Sequence, residues 1–314
     1  MKKKAIIVSI KGLKLSNKEK LLLSEEKPWG LILFKRNIKT VNQVKKLTQN
    51  VRKLTKDSKF PILIDEEGST VTRLKYILNN NVDANYFGNL FKFNQKLSLN
   101  LYKNYLKSIS KKLKELGLNI NTIPVLDVLR KNTNKVIGRR SFSEKKKIVK
   151  LFGEITVKEL HLQKILAVIK HIPGHGCSTS DSHYIMPKVN IIEKKLNDID
   201  FYTFKSSSAK LAMTAHILYT KIDSINVSTF SSKIINKIIR KKIGFKGILI
   251  SDDISMKALK YDLVTNAKKS LNAGCNLVLY CAGNIRDNYK LIKSIPFIDK
   301  FTSKKTSEIY KILR

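Results

Sequence analysis

Residues 167–187 read AVIKHIPGHGCSTSDSHYIMP. A short apolar run, Ala167 to Ile169, passes directly into a loop carrying Lys170, His171, His175, Cys177, Asp181 and His183, hinged by Gly174 and Gly176. The chain has five histidines, and three stand in this loop. An apolar run that ends in reactive side chains is the pattern of a buried strand whose carboxyl end opens at a functional rim.

The pattern recurs outward in both directions. Apolar, β-branched runs cover residues 5–10, 30–34, 61–65, 121–128, 167–171, 211–216, 247–252 and 277–281. Lysine-rich stretches with helical spacing lie between most of them, at 41–55, 94–116, 143–166, 191–205, 231–243 and 256–272. Within 143–166, Ile148, Leu151, Phe152 and Ile155 follow the i, i+3, i+4, i+7 spacing that lines one helix face, with Leu160 five residues further on. Near-continuous apolar strands alternating with helices predict a parallel sheet buried on both faces. Eight such repeats in 314 residues suit an α/β fold, a single (β/α)8 TIM-type barrel with an imperfect first or last repeat. A doubly wound open sheet is the competing arrangement, but no G-x-G-x-x-G follows an early strand. With 13 Gly, 6 Pro and no linker-like stretch, residues 1–314 read as one domain.

Polar groups gather at the carboxyl ends of six runs: Lys35-Arg36-Asn37, Asp65-Glu66-Glu67, Asp127, Lys170-His171, His216 and Asp252-Asp253. One charged strand end is an ordinary solvated boundary. Six in register point to the face where barrel enzymes keep their chemistry. Three readings fit the loop after residue 171. It can be a solvated surface loop. It can hold a metal through His171, His175, Cys177 and His183, although that spacing matches no common zinc pattern. Or it can do acid–base work, with Asp181 fixing the tautomer of His183 two residues on. His175 can equally serve only to shape the turn. At 252–253 the alternation of a strand lets only one aspartate face a ligand. Asp253 or Ser255 suits a helix N-cap, which leaves Asp252 for chemistry. A carboxylate there and an Asp–His pair on another strand's loop suggest glycosyl transfer to water.

Lys and Arg number 62 against 24 Asp and Glu, a net charge of +38. The excess is mostly lysine and spread evenly, and no RNP, zinc-finger or helix-turn-helix signature accompanies it, so we expect no specific nucleic-acid partner. The opening MKKKAIIVSIKGL breaks its apolar run at Lys11, short of an export signal, and no stretch approaches a membrane helix. The expectation is a cytoplasmic protein with no membrane partner. Three cysteines cannot all pair and fit a reducing compartment; Cys275 and Cys281 bracket an apolar run as core residues.

Residues 238–255, II-R-K-K-xxxx-G-ILI-SD-xx-S, resemble the signature of family 3 glycoside hydrolases along its length. The loop KHIPGHG…DSH resembles the NagZ-type subgroup, the bacterial β-N-acetylhexosaminidases of peptidoglycan recycling. GLILFKRNI (30–38), IDEEG (64–68), VTRL (71–74), PVLDV (124–128), IGRRSF (137–142), MTAHI (213–217) and AGCNLVLYC (273–281) extend the resemblance over essentially the whole chain. It implies a (β/α)8 barrel and a retaining exo-β-N-acetylglucosaminidase acting on muropeptide fragments. It makes Asp252 the nucleophile, His183 the proton donor and acceptor, and Asp181 the residue that orients His183. It makes Asp65, Arg73, Arg140, Lys170 and His171 the sugar-binding groups. It implies no metal or organic cofactor, a small sugar as partner and a monomer. Arg73 and Arg140 have a purely structural alternative as ion-pair partners, and His216 as a core histidine. Three departures stand out. Ser69 and Thr70 replace a usual Gly and Arg, Asn276 replaces a usual Asp, and residues 257–269 look short. A phosphorylase or β-glucosidase on the same site is the nearest rival, and a non-catalytic basic polyanion binder is the rival from another class.

Overall fold

A computed structural model of the chain describes residues 2–181 and 185–313. Its strands are β1 (Lys4–Ser9), β2 (Pro28–Leu33), β3 (Ile62–Ile64), β4 (Ile120–Asn121), β5 (Leu166–Ile172), β6 (Lys188–Val189), β7 (Leu211–Thr214), β8 (Leu218–Tyr219), β9 (Ile248–Asp253) and β10 (Leu277–Leu279). Eight of them close a parallel barrel in the order β1-β2-β3-β4-β5-β7-β9-β10, while β6 and β8 pair outside it. Closure shows in the register of one residue: Ile7 lies opposite Gly30 of β2 on one side and Leu279 of β10 on the other. The eight apolar runs of the sequence are these eight barrel strands. Their side chains are almost all buried, as a sheet covered on both faces requires.

The helix Val41–Thr55 shows why the crossovers form. Thr40 caps it by accepting the Gln43 N–H, Val44, Leu47, Thr48 and Val51 make its buried stripe, and Lys56 ends it in the left-handed conformation (φ 51°). The first crossover is indeed imperfect. Its helix runs only from Asn17 to Leu21 and continues as a wider turn, Leu22–Glu26.

Four expectations need correction. The strand expected over 121–128 is instead Ile120–Asn121, so the run gives the barrel ladder only Asn121. Pro124 has no N–H for a ladder, and beyond it the pairing becomes irregular: Lys170 N–H reaches Pro124 O (3.1 Å) and Leu126 N–H reaches Lys170 O (2.7 Å). The helix expected over 256–272 begins at Leu263, because Asp262 supplies its cap to the Val264 and Thr265 N–H groups. Asp253 therefore caps no helix; it closes a turn through Ser255 N–H (3.0 Å) and Ser255 Oγ (2.7 Å). The stretch 191–205 holds a short helix, Glu193–Ile199, and then a tighter turn, Phe201–Phe204.

The signature at 238–255 has a structural half. Arg240 donates to Phe245 O (3.0 Å), Gly247 O (2.7 Å) and Asn276 Oδ1 (2.7 Å), folding the turn that launches β9. Asn276 also accepts the Leu249 N–H (2.9 Å), so this departure sits at the amino end of the strand and does its work with a neutral oxygen. Among the described residues no helix is long and apolar enough to cross a membrane.

Candidate functional site

The carboxyl end of β3 sets the floor. Asp65, Glu66 and Glu67 follow one another, and the strand period sends them different ways. Glu66 turns inward and is fully buried. Its carboxylate accepts the backbone N–H of Arg73 (2.9 Å) and Leu74 (3.1 Å), Thr72 Oγ1 (3.1 Å) and Asn80 Nδ2 (2.7 Å). These bonds bend the loop back so that Arg73 Nη2 meets Asp65 Oδ2 at 3.1 Å. Ser69 Oγ (2.7 Å), Thr70 N–H (2.9 Å) and Thr70 Oγ1 (3.1 Å) all donate to Asp83. The departures at 69 and 70 are thus tied down by a carboxylate, and Asp65 and Arg73 still meet.

Across the rim, Lys170 Nζ reaches Glu67 Oε1 (2.6 Å), Asp65 Oδ1 (3.2 Å) and Thr122 Oγ1 (2.8 Å). Thr122 Oγ1 in turn donates to Asp65. Arg140, on a tight turn Gly138–Arg140, grips Glu67 with Nε (2.7 Å) and Nη2 (3.0 Å), a two-pronged pairing that fits a carboxylate's shape. His171 places Nδ1 2.7 Å from Asp127 Oδ2 and Nε2 3.5 Å from Arg140 Nη2. The Asp252 carboxylate accepts the Asp253 N–H at 2.8 Å, and its own N–H donates to Thr214 Oγ1 (3.4 Å).

Electrostatics follow from these contacts. Burial acts against the charge on Asp65, but Lys170 and Arg73 outweigh it and hold the carboxyl well below the usual range. Burial likewise opposes Glu67, yet Arg140 and Lys170 bring it down to about 2. For Asp252 the rings of His216 and His171, the Asp253 N–H and Lys170 overcome burial, so this carboxyl too lies below its ordinary value. Burial instead pushes Asp253 up. Burial, with the neighbouring His171, lowers His175 to about 4.

Asp65, Glu67, Arg73, Arg140, Lys170, His171, His175 and Asp252 line one cavity of about 110 Å³, with Val71, Val136, Met213 and Cys281 in its walls. Six of the eight residues named from sequence, Asp65, Arg73, Arg140, Lys170, His171 and Asp252, therefore come together. Asp181 is partly buried and its carbonyl accepts the Ile185 N–H (3.1 Å). His183 lies outside the described residues, and so does the expected Asp181–His183 pair. Arg73 and Arg140 are ion-pair partners and cavity walls at once. His216 is a buried histidine with both nitrogens engaged, Nδ1 to Thr229 Oγ1 (2.7 Å) and Nε2 to Asp253 O (3.0 Å). Cys275 is core, but Cys281 is only partly buried and faces the cavity, a correction to its reading as a core residue. His175 does more than shape the turn: it is buried, lines the cavity and stands edge-on to His171.

The sequence reading took Glu67 and Asp127 only as strand-end charges and His175 only as a turn residue or metal ligand, so it missed their places in this network. The signal was present, since each sits at or just beyond a strand end, but nothing local says which cation or ring a strand-end carboxylate will meet. Among the described residues no group of three or more His, Cys, Asp or Glu is arranged to hold a metal ion.

A closed parallel barrel with carboxylates and cations converging at its carboxyl-end mouth has the architecture of a barrel enzyme, and such groups match the paired donors and acceptors of a polyhydroxylated ring. The chain belongs to the glycosyl hydrolase family 3 N-terminal domain family, whose profile matches residues 2–303. The beta-hexosaminidase of Nitrosomonas eutropha (strain DSM 101675 / C91 / Nm57) is 31% identical over 284 residues, covering 88% of this chain and 80% of that protein. Native NagZ from Neisseria gonorrhoeae superposes with a TM-score of 0.88 at 26% identity, over 98% of this chain and 90% of that one. A glycoside hydrolase family 3 beta-N-acetylglucosaminidase from Paenibacillus sp. str. FPU-7 superposes with a TM-score of 0.86 at 25% identity over 98% of this chain, which spans 60% of that protein's length.

Proposed function

We propose that this protein is a β-N-acetylhexosaminidase, a retaining exo-β-N-acetylglucosaminidase built as one domain over residues 1–314. Asp252 is the nucleophile. Its carboxylate forms a bond to the anomeric carbon as the bond to the leaving oxygen breaks, and His183, oriented by Asp181, gives that oxygen its proton. Water then attacks the glycosyl ester, His183 takes the proton, and Asp252 departs as the carboxylate. Asp65, Arg73, Arg140, Lys170 and His171 bind the sugar hydroxyls and hold the ring against Asp252. The reaction consumes only sugar and water and calls for no cofactor.

The observation that carries this reading is the position of Asp252. It is a charged carboxylate beside an array of ion-paired groups, in a chain whose relatives are named for hexosaminidase activity. The substrate we infer is a peptidoglycan fragment, GlcNAc-1,6-anhydro-MurNAc with or without its peptide, cleaved by a cytoplasmic monomer in cell-wall recycling. The test is the purified protein with a chromogenic aryl β-GlcNAc, the matching β-glucoside and the anhydro-disaccharide. We expect turnover of the first and third and at least about tenfold poorer turnover of the glucoside. Hydrolysis of the glucoside alone, or of none, overturns the proposal; release of a sugar 1-phosphate that depends on added phosphate overturns hydrolysis.

A further inference from the structure

We propose that Asp127 is a positioning residue: it dictates which nitrogen of His171 carries the proton, and thereby makes the other nitrogen an acceptor inside the cavity. The inference deepens the glycosidase reading above and rests on it for its kinetic arm. Asp127 is buried, and both of its oxygens are already accepting. One takes the backbone N–H of His175 at 2.6 Å and of His171 at 3.3 Å. The other lies 2.7 Å from His171 Nδ1. An ionised carboxylate has no hydrogen to give, so the short contact requires the proton on Nδ1. Two backbone N–H donors converge on one oxygen, which favours the ionised carboxylate.

Nε2 is then the bare nitrogen. It faces Arg140 Nη2 at 3.5 Å, where a lone pair is welcome and a second N–H would meet a donor. In this state the ring accepts a hydrogen bond, from the guanidinium or from a sugar hydroxyl. Asp127 therefore acts on substrate through His171. Its bond to His175 N–H also fixes the loop immediately after that ring.

An asparagine at this position separates the two duties. It has the same shape, but one oxygen becomes an NH2. The His175 N–H is backbone and cannot become an acceptor, so the amide oxygen must stay on that side. The NH2 must then face His171 Nδ1, which can accept only by moving its proton to Nε2. The ring would then aim an N–H at Arg140. D127N should thus keep the fold and reverse the tautomer.

The decisive measurement is a long-range 1H–15N correlation on protein labelled with 15N-histidine, at about pH 8, where an ordinary imidazole is neutral. His171 is assigned by its loss in H171Q. We expect protonated Nδ1 and bare Nε2 in the wild type, the reverse in D127N, and a fall of about 10- to 100-fold in kcat/KM for aryl β-GlcNAc, carried mainly by KM, with little change in Tm. Protonated Nε2 in the wild type overturns the proposal, as does an unchanged tautomer or an unchanged kcat/KM in D127N. If D127N does not fold, the wild-type spectrum decides alone. If the wild type turns over no aryl glycoside, the glycosidase reading fails, and the two spectra still decide the tautomer claim.

Discussion

Asp65 and Asp252 both end barrel strands and face the same cavity, yet their surroundings are opposite. Asp65 is held by three donors, Thr122 and Lys170 on one oxygen and Arg73 on the other. Asp252 accepts one backbone N–H, and among the described residues no side-chain cation touches it. It owes its charge to groups a little further off. A carboxylate with three of its roughly four acceptor sites filled is held still and keeps one for a ligand hydroxyl. One that is ionised but has lone pairs to spare suits bond formation. On the proposed reading the two acids divide binding from chemistry because their neighbours differ, although the side chains are identical.

The sharpest way to break this contrast is D252A. Losing the proposed nucleophile should cut kcat on aryl β-GlcNAc by about 10³-fold or more, while Tm moves little because no ion pair among the described residues is broken. Activity within a few-fold of wild type would end the assignment. D65N should give a smaller kinetic loss and a larger stability loss. We expect about 10²-fold in kcat/KM and about 1–3 kcal/mol by urea unfolding, since Lys170 and Arg73 both lose a charged partner and Lys170 still keeps Glu67. If D65N unfolds no more easily than D252A, the more heavily bonded site is not the structural one.

The smallest effect concerns acid. Glu67 has a folded pKa of about 2 against an ordinary 4.5, so its ionised form is favoured by folding. The stability it adds is complete above about pH 4.5 and is lost as pH falls toward 2. Asp65 shifts in the same direction. Tm measured down this range should fall less steeply in E67Q than in wild type; an equal slope would mean that the Arg140–Glu67 pairing contributes nothing in solution.

Much of this was legible in the chain. The helix 41–55 stands at the bounds its spacing gives, and each barrel strand falls on or overlaps an apolar run, because period and burial are local properties. Strand alternation required that only one of Asp252 and Asp253 face the cavity, but not which. The structure decides it by occupying Asp253 with Ser255 and the Cys281 N–H. The length of β4 was misjudged because Pro124 breaks the ladder inside an apolar run, where composition alone still reads as strand. Asp127 and Glu67 passed as strand-end charges because their importance lies in partners contributed by other strands.

The sequence by itself determined the number of barrel strands, several of the helices between them and the kinds of side chain at the rim, since each follows from spacing along a few neighbouring residues. Only the tertiary structure decided that Lys170 serves both Asp65 and Glu67, that Arg140 clamps Glu67, and that Asp127 holds His171. Charge and hydrogen bonding act over a few ångströms through space, and which groups come that close depends on which strands the closed barrel sets side by side.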